Sequence, residues 1–301
     1  LGCNMQDLSF LNNVSIIGLG VLGSAIAENF INKNIPISGY DISKKAIERL
    51  KGSNITIYNS ISELVEKNRF LILSLPSEIS LLDISNSLKN NMNNDLIVIE
   101  TSTLPIDCKL KSRDILLKKN ITMYDSPLSG NRIAALEGKL SAYLSGDERN
   151  KELINKILDV FCQKVTNVGD FGNGTIMKLI GNILNLVHNA VAGEVMTLGM
   201  KSGLKPEVIY NAISGTFSSS GVFDNRGKLM VDEDYDKEGM NFSTSIKDSS
   251  FITDLSKKYM VPLPIYQVAL QYYYAAVAQG YYDKDAASVL KVLEKNANVQ
   301  R

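Results

Sequence analysis

Strand-forming runs alternate with helical runs through the first half of the chain and cease after Gly172, a break that restricts the possible folds more than any other feature. Strands are read near Val14–Ile17, Ile37–Tyr40, Ile55–Tyr58, Phe70–Leu75, Leu96–Glu100, Ile121–Tyr124, Leu140–Leu144 and Lys164–Val168. Helical patterns such as Ser43–Leu50, Ile61–Lys67 and Lys151–Phe161 lie between them. Alternation at this spacing predicts a mainly parallel sheet with helices on both faces. Beyond Gly172, Asn173 to about Lys201 reads as one long helix, with Asn173 as its cap and Gly203 just past its end. Its apolar residues, among them Ile176, Leu179, Ile183, Leu186, Val191, Val195 and Leu198, occupy most faces, which predicts a buried spine between two domains. Further helices are expected at Pro206–Ile213, Lys247–Lys258, Pro264–Gln279 and Asp285–Lys295. The chain reads as α/β plus all-α: a doubly wound sheet over residues 1–168, then an all-helical domain over 169–301, joined by the long interdomain helix.

At 301 residues there is enough chain for two cores. Basic and acidic residues number 32 each, so no global field draws the protein to nucleic acid or to an anionic membrane, and neither partner is expected. No apolar run approaches the roughly 18–20 residues of a membrane span. Cys3, Cys108 and Cys162 are widely spaced with no metal-ligand pattern, and they read as reduced thiols of a cytoplasmic protein. Leu1-Gly2-Cys3 lacks the preceding basic and apolar segments of a lipoprotein signal, and Met5 is read as the natural start. His188 is the only histidine, which argues against a histidine-rich metal centre; no metal is expected.

Gly18-Leu19-Gly20-Val21-Leu22-Gly23 falls between the first strand and a helical pattern. In that setting the first glycine permits the turn, the second lets a pyrophosphate approach the backbone, and the third lets helix pack on strand. The helix N-terminus adds amide donors and a positive dipole end for phosphates. Asp41 ends the second strand, 21 positions after Gly20. Its carboxylate can accept both ribose hydroxyls of NAD, while a 2′-phosphate there meets like charge. Lys44 and Lys45 soften that exclusion, so NAD is expected and NADP is the lesser alternative. The first domain is therefore a Rossmann-type dinucleotide-binding domain.

Lys178 and Asn182 stand four residues apart on the long helix, just after a glycine-rich turn. Residues at i and i+4 share a face, so an ammonium and an amide point at one spot. Gly181 between them leaves room for a flat ring or a substrate. Such a pair can exchange a proton with an alcohol and hold its oxygen, which is dehydrogenase chemistry. A lysine on a helix is ordinarily solvated, but Lys178 is flanked by Met177, Leu179 and Ile180 in a helix expected to be buried. Burying an ammonium is expensive and argues for a purpose. His188 lies ten residues further on, too far to share the site, and reads as structural.

Four blocks in order resemble the β-hydroxyacid dehydrogenase family, over essentially the whole chain beyond the first dozen residues. They are Gly18 to Asn29; Asp125-Ser-Pro-Leu-Ser129-Gly130-Asn131; the Lys178/Asn182 helix; and Lys247-Asp248. The resemblance implies that Lys178 is the catalytic acid/base and that Asn182 orients the substrate. It implies that Ser129 and Gly130 hold the substrate carboxylate, with Asn131 beside them. It also implies cofactor contacts from Leu75, Pro76 and Thr103, and from Lys247 at the nicotinamide end. Two departures stand out. Asn131 replaces the family's second glycine and is followed by Arg132, a change that narrows the pocket or adds a contact to a polar or doubly anionic substrate. Ser249-Ser250 replaces the usual apolar residue after Lys-Asp. Gly215 to Arg226 is most similar to the threonate-dehydrogenase side of the family, leaving Arg226 either a substrate contact or an ordinary salt-bridged arginine.

The expected reaction is hydride transfer between nicotinamide and a short, anionic 3-hydroxy acid, or reduction of the matching semialdehyde, with Lys178 moving the hydroxyl proton. A free lysine titrates near pH ~10.4, so this role needs desolvation in a cleft or a second cation such as Lys247. Two alternatives are weighed. An imine reductase of the same architecture usually lacks a lysine at this position. A non-catalytic NAD(P)-binding protein has no use for Lys178, Asn182 and Ser129 together. Tyr272, Tyr273, Tyr274, Tyr281 and Tyr282 read as core or subunit-interface residues, and a homo-oligomer is expected.

Overall fold

Side chains along a strand point alternately to its two faces, and in the first half of this chain both faces are apolar. In β1 (Val14–Ile17), Val14 and Ile16 enter one core and Ile17 another. In β4 (Phe70–Leu73), Phe70 and Ile72 part from Leu71 and Leu73 in the same way. A sheet buried on both faces must be covered by helices on both. The computed structural model, which describes residues 8–89, 95–236 and 240–301, has that arrangement; Cys3 and Met5 lie outside the described residues. Together with β2 (Ser38–Tyr40), β3 (Thr56–Ile57), β5 (Ile97–Glu100) and β6 (Thr122–Asp125), these strands form a parallel sheet in the order β3-β2-β1-β4-β5-β6. The register sets Ile17 beside Tyr40 and Leu73, Leu73 beside Glu100, and Glu100 beside Asp125. The order reverses between β1 and β4, the switch point at which doubly wound sheets take ligands beyond their strand carboxyl ends.

One face is covered by α1 (Val21–Asn32), through Ala25, Ile26 and Phe30, and by Ala46 of α2 (Lys44–Glu48). The other is covered by α3 (Ile61–Lys67), α4 (Glu78–Leu88) and α5 (Ile106–Leu117), through Leu64, Leu81 and Leu116. Leu140–Leu144 and the run at 164–168, read from sequence as strands of the main sheet, lie elsewhere. They form a second sheet from β7 (Leu128–Ser129), β8 (Leu140–Leu144) and β9 (Cys162–Asn167), antiparallel between β7 and β8 and parallel between β8 and β9. Burial in β8 alternates, so it has one apolar face rather than two. The helices α6 (Arg132–Leu136) and α7 (Lys151–Leu158) fill the connections.

The rest of the chain is helical: α8 (Asn173–Lys201), α9 (Pro206–Ile213), α10 (Gly221–Asp232), α11 (Phe242–Tyr259), α12 (Pro264–Ala278) and α13 (Val289–Ala297). Met196, Met230, Phe242, Tyr273 and Leu290 share its core, and the buried Asn189 amide donates to Tyr273 Oη at 2.8 Å and Ala286 O at 2.9 Å. The sequence reading started α11 at Lys247; it starts five residues earlier, at Phe242, capped by Asn241, which accepts from Thr244 N at 3.1 Å. It also missed α10, which Ser220 caps by accepting from Phe223 N at 3.1 Å.

The chain divides into two compact units, Leu1–Lys178 and Leu179–Arg301, ten residues beyond the break read from sequence. The first turn of α8 stays with the first unit because its amide groups are bonded there: Gly174 N donates to Ser145 Oγ at 3.0 Å and Thr175 N to Asp125 Oδ2 at 2.7 Å. Asn173 is not the cap; its amide donates to Val168 O at 2.9 Å. Nor is α8 buried all round, since Ile180, Leu184, Val191, Val195 and Leu198 are exposed. Among the described residues, no helix is long and apolar enough to cross a membrane.

Cys108 and Cys162 are buried free thiols. Burial, with Glu78 nearby, pushes Cys108 up to about 11, and burial with Asp159 pushes Cys162 up to about 12. The thiolate is the reactive form. Alkylation of both at pH 8, followed by peptide mass spectrometry, is therefore expected to be slow in the folded protein and fast in denaturant.

Candidate functional site

The glycine-rich turn is built by two close approaches. Gly18 has φ +95°, and a Cβ there would fall 2.1 Å from Ser74 O. A Cβ on Gly23 would fall 1.8 Å from Gly18 O, so α1 reaches the turn only because that carbon is missing. Gly20 is different: a Cβ would meet no atom within 4 Å. Gly20 is also the N-cap of α1 and provides no side-chain cap, so amide donors of the first turn open onto unfilled space. Asp41, at the end of β2, fixes the turn. Its Oδ2 accepts from Leu19 N at 2.7 Å and its Oδ1 from Ser43 N at 2.7 Å. Open space at Gly20, amide donors and a carboxylate at the next strand end suit the phosphates and ribose of a dinucleotide. Val21 is 48% exposed, beside that space. Leu75 and Pro76 follow β4 and Thr103 follows β5, on the same carboxyl edge of the sheet; Leu75 N donates to Ser102 Oγ at 2.8 Å.

Ser129 ends β7, half-buried, and Gly130 turns out of it with φ +133°. A Cβ on Gly130 would fall 2.6 Å from the Leu140 side chain. Asn131 does not simply narrow the loop: its side-chain oxygen caps α6, accepting from Ala134 N at 3.0 Å. Arg132 reaches across to α1, donating to Val21 O at 2.7 Å and Ser24 Oγ at 3.0 Å, with Glu28 3.9 Å away. Asn29 Nδ2 donates back to Ala135 O at 2.6 Å. Arg132 thus ties the candidate substrate loop to the helix of the cofactor turn, while Asn131 caps the helix that follows the loop.

Lys178 is 8% exposed, one turn beyond Thr175. The base of that turn is a cluster the sequence reading missed. Glu100, Lys109 and Asp125 have side chains with no solvent exposure. Lys109 Nζ pairs with Glu100 Oε2, lies 2.7 Å from Asp125 Oδ1, and donates to Ser102 O at 2.7 Å. Asp125 Oδ1 also accepts from Thr175 Oγ1 at 2.9 Å. Burial pushes the Glu100 carboxyl up, against the pull of Lys109. Burial pushes Lys109 down, but Asp125 and Glu100 outweigh it and hold the ammonium above its ordinary value. Gly174 marks the junction in the structure: a Cβ there would fall 2.3 Å from Tyr143 O and 3.0 Å from Asp125 Oδ2.

In the second unit, Asn182 is 4% exposed and its Nδ2 donates to Asp248 Oδ2 at 2.9 Å. Asn185 Nδ2 approaches Asn182 Oδ1 at 3.3 Å. Lys247 Nζ lies 3.3 Å from Asp248 Oδ1 and 5.7 Å from the Phe251 ring centre. Ser249 and Ser250 donate their hydroxyls to helix carbonyls, Ser245 O at 2.6 Å and Lys247 O at 2.8 Å, so both polar groups are satisfied within the helix. A cavity of about 10 Å³, the room of one water molecule, is lined by Asn182, Arg226, Ser245, Asp248 and Tyr273. Arg226 pairs with Asp285 at 3.6 Å. Among the described residues, no group of three or more His, Cys, Asp or Glu side chains could hold a metal ion.

Residues 13–169 match the family described as the NAD binding domain of 6-phosphogluconate dehydrogenase. Residues 172–293 match the NAD-binding domain of NADP-dependent 3-hydroxyisobutyrate dehydrogenase. An L-threonate dehydrogenase of Haemophilus influenzae is 29% identical over 93% of this chain and 94% of its own length. A mitochondrial 3-hydroxyisobutyrate dehydrogenase of Drosophila melanogaster is 25% identical over 94% and 90%. The crystal structure of a 3-hydroxyisobutyrate dehydrogenase from Salmonella typhimurium superposes with a TM-score of 0.79 at 26% identity, covering 93% of this chain and 99% of that one.

Gly20→Ala separates folding from ligand space. With φ −65° and no protein neighbour, the added methyl should leave the melting temperature unchanged. If phosphates occupy that space, NADH affinity by fluorescence titration should fall about tenfold, roughly 1.4 kcal/mol. Unchanged affinity would show that no bound nucleotide uses it.

Proposed function

The chain belongs to the β-hydroxyacid dehydrogenase family, and from that premise we propose that it transfers hydride between a nicotinamide nucleotide and a short 3-hydroxy acid, or the matching semialdehyde, with Lys178 as acid/base. The observation that carries the assignment of Lys178 is its burial on α8, one turn from an anchored first turn and one turn before the held amide of Asn182. When bound, the nicotinamide ring supplies the hydride acceptor for oxidation or the donor for reduction. Everything else falls to the protein. The amides of the Gly18–Gly23 turn and the Asp41 carboxylate bind the nucleotide, with Leu75, Pro76 and Thr103 along the same edge and Lys247 towards the nicotinamide. Ser129 and Gly130 receive the substrate carboxylate through a hydroxyl and backbone amides, with Asn131 at the rim.

On oxidation Lys178 takes the hydroxyl proton while the carbinol C–H bond gives up its hydrogen with both electrons; on reduction the same proton returns to the carbonyl oxygen. Proton transfer by a placed group is worth about 10²–10⁴ in rate. A base acting near neutrality needs its charged form disfavoured, and burial is one physical means. Asn182 gives one amide hydrogen to Asp248, which fixes the plane from which the other can reach the substrate oxygen. Asp41 supports NAD over NADP, because a 2′-phosphate would meet its carboxylate. The likeness to an L-threonate dehydrogenase supports polyhydroxylated four-carbon acids as the first substrates to try. Buried, reduced Cys108 and Cys162 support a cytoplasmic setting.

The same reading includes a homodimer, through a face of the helical unit. Leu184, Val191, Val195 and Leu198 of α8 are exposed, as are Ile265 and Val268 of α12. Tyr272 Oη donates to Glu194 at 2.9 Å and joins the two stripes. α12 carries no charged residue, a composition typical of the core of permanent contacts between copies. Two helices side by side over the span 184–198 cover roughly 400 Å². That is about half of the ~800 Å² per partner of a standard interface, the rest falling to a polar rim.

Two experiments test these proposals. NADH absorbance is followed while the protein meets threonate-like, hydroxyisobutyrate-like and short semialdehyde substrates with NAD or NADP. Wild type should turn over and Lys178→Ala should lose at least 10²-fold in kcat. Nucleotide binding with no turnover on any substrate would favour a non-catalytic binder. In light scattering, Val195→Glu with Leu198→Glu should convert dimer to monomer, while a wild-type monomer would remove the dimer proposal.

A further inference from the structure

The buried cluster at the end of β5 and β6 has no part in the chemistry set out above, yet it contains three charged side chains with no solvent exposure, Glu100, Lys109 and Asp125. A buried ion group is not a general source of stability. Apolar residues of similar volume commonly do as well or better, because each ion must first be stripped of water. The cluster therefore calls for a reason beyond cohesion, and its contacts supply one. Asp125 is the last residue of β6, and its carboxylate crosses to the start of α8. It accepts from Thr175 N at 2.7 Å and from Thr175 Oγ1 at 2.9 Å. Ser145 Oγ bridges the same junction, accepting from Gly174 N at 3.0 Å and lying within reach of Asp125 O at 3.1 Å and Oδ2 at 3.3 Å.

We propose that Asp125 is a positioning residue for the reaction, acting through Thr175 on Lys178, and that Lys109 and Glu100 hold its carboxylate in place; the inference rests on the reading of Lys178 as the acid/base. Thr175 and Lys178 are at i and i+3, neighbours on one face of the helix. A helix is stiff over one turn, so the place of Thr175 sets the place of the Lys178 Cα. The carboxylate also meets the positive end of the α8 dipole, equivalent to roughly half a charge, which complements the excess negative charge of two carboxylates around one ammonium. Two bonds to one residue, from its amide and its hydroxyl, fix rotation of the turn about the helix axis as well as its height. Rotation decides where a side chain one turn later points. Gly174 completes the device, since any Cβ there would strike Tyr143 O and the Asp125 carboxylate. A misplacement of about 1 Å in a reacting group can cost on the order of 10²-fold in rate.

The test separates positioning from mere cohesion. Asp125→Asn keeps the shape but turns one of the two acceptor oxygens into an NH2, which cannot accept from Thr175, so one of its two bonds is lost. Thr175→Val removes only the hydroxyl bond and is the milder variant, deciding the matter if Asp125→Asn does not fold. Thr175→Ser restores that bond. Each variant is purified as the full chain, its NADH binding titrated, and kcat expressed per nucleotide-binding site. The expected result is a fall in kcat of about 10–10²-fold for Asp125→Asn and about 3–10-fold for Thr175→Val. NADH affinity and both KM values should stay within about twofold, and Thr175→Ser should recover most of the loss. Wild-type kcat per site in a folded variant, or a loss in which kcat per site holds and only the number of binding sites falls, overturns the proposal. Lys178→Ala runs beside them. If it keeps wild-type turnover, the acid/base reading fails and takes this inference with it. If it is inactive while Asp125→Asn is fully active, only the positioning role fails.

Discussion

Two hydrogen bonds from Thr175 to the Asp125 carboxylate, at 2.7 and 2.9 Å, join the end of a sheet strand to the start of the longest helix. The parallel sheet sets the position of Asp125 through its register with Glu100, and Glu100 through its register with Leu73. Lys109 on α5 then pairs with both carboxylates, so two strand ends and a helix covering the sheet converge on one turn. Breaking one partner of a buried group of this kind typically costs about 3–5 kcal/mol, because the remaining charges stay buried without an answer. The strand ends, the helix start and the candidate base are therefore one mechanical chain, in which the sheet determines where α8 begins.

Much of this was legible beforehand. Double-sided burial writes itself as apolar runs, so the main strands were legible, and their alternation with helices gave a mainly parallel sheet; the strand order was not read. The glycine turn was legible because Gly18 and Gly23 meet backbone carbonyls where no side chain fits. The buried ion cluster was not legible. Lys109 stands on α5 beside Lys111 and Arg113, in a segment that resembles any solvated helix face. Nothing in a one-dimensional pattern distinguishes a lysine that meets water from one that meets two carboxylates arriving from other strands. The second sheet escaped for a related reason. β7 is two residues long, too short to show a period, and its partner β8 alternates like a strand of an ordinary one-sided sheet.

The loop after β7 shows how a departure from a family pattern can be read physically. Exchanging a glycine for Asn131 need not fill the site, because the new side chain turns back to cap α6. Arg132 spends its guanidinium on Val21 O and Ser24 Oγ, within the first turn of α1. Asn131 stiffens the exit of the loop into α6, and Arg132 ties the loop to the cofactor helix. A stiffer loop loses less conformational freedom when a ligand orders it. The cost is adaptability, so a loop of this kind suits one ligand shape better than many.

The arrangement of Lys178 and Asn182 follows the same logic at shorter range. Both groups belong to one continuous helix, so their separation is set by helical geometry, with Cβ atoms about 5–6 Å apart, rather than by the closure of a loop. What remains variable is the orientation of each side chain. Asn182 is fixed by its bond to Asp248, and the turn below Lys178 by its bonds to Asp125. A lysine side chain has four rotatable bonds and high entropy, and an amide has few. The bonds at Thr175 therefore fix where the Lys178 side chain starts, and the bond to Asp248 fixes the Asn182 amide itself.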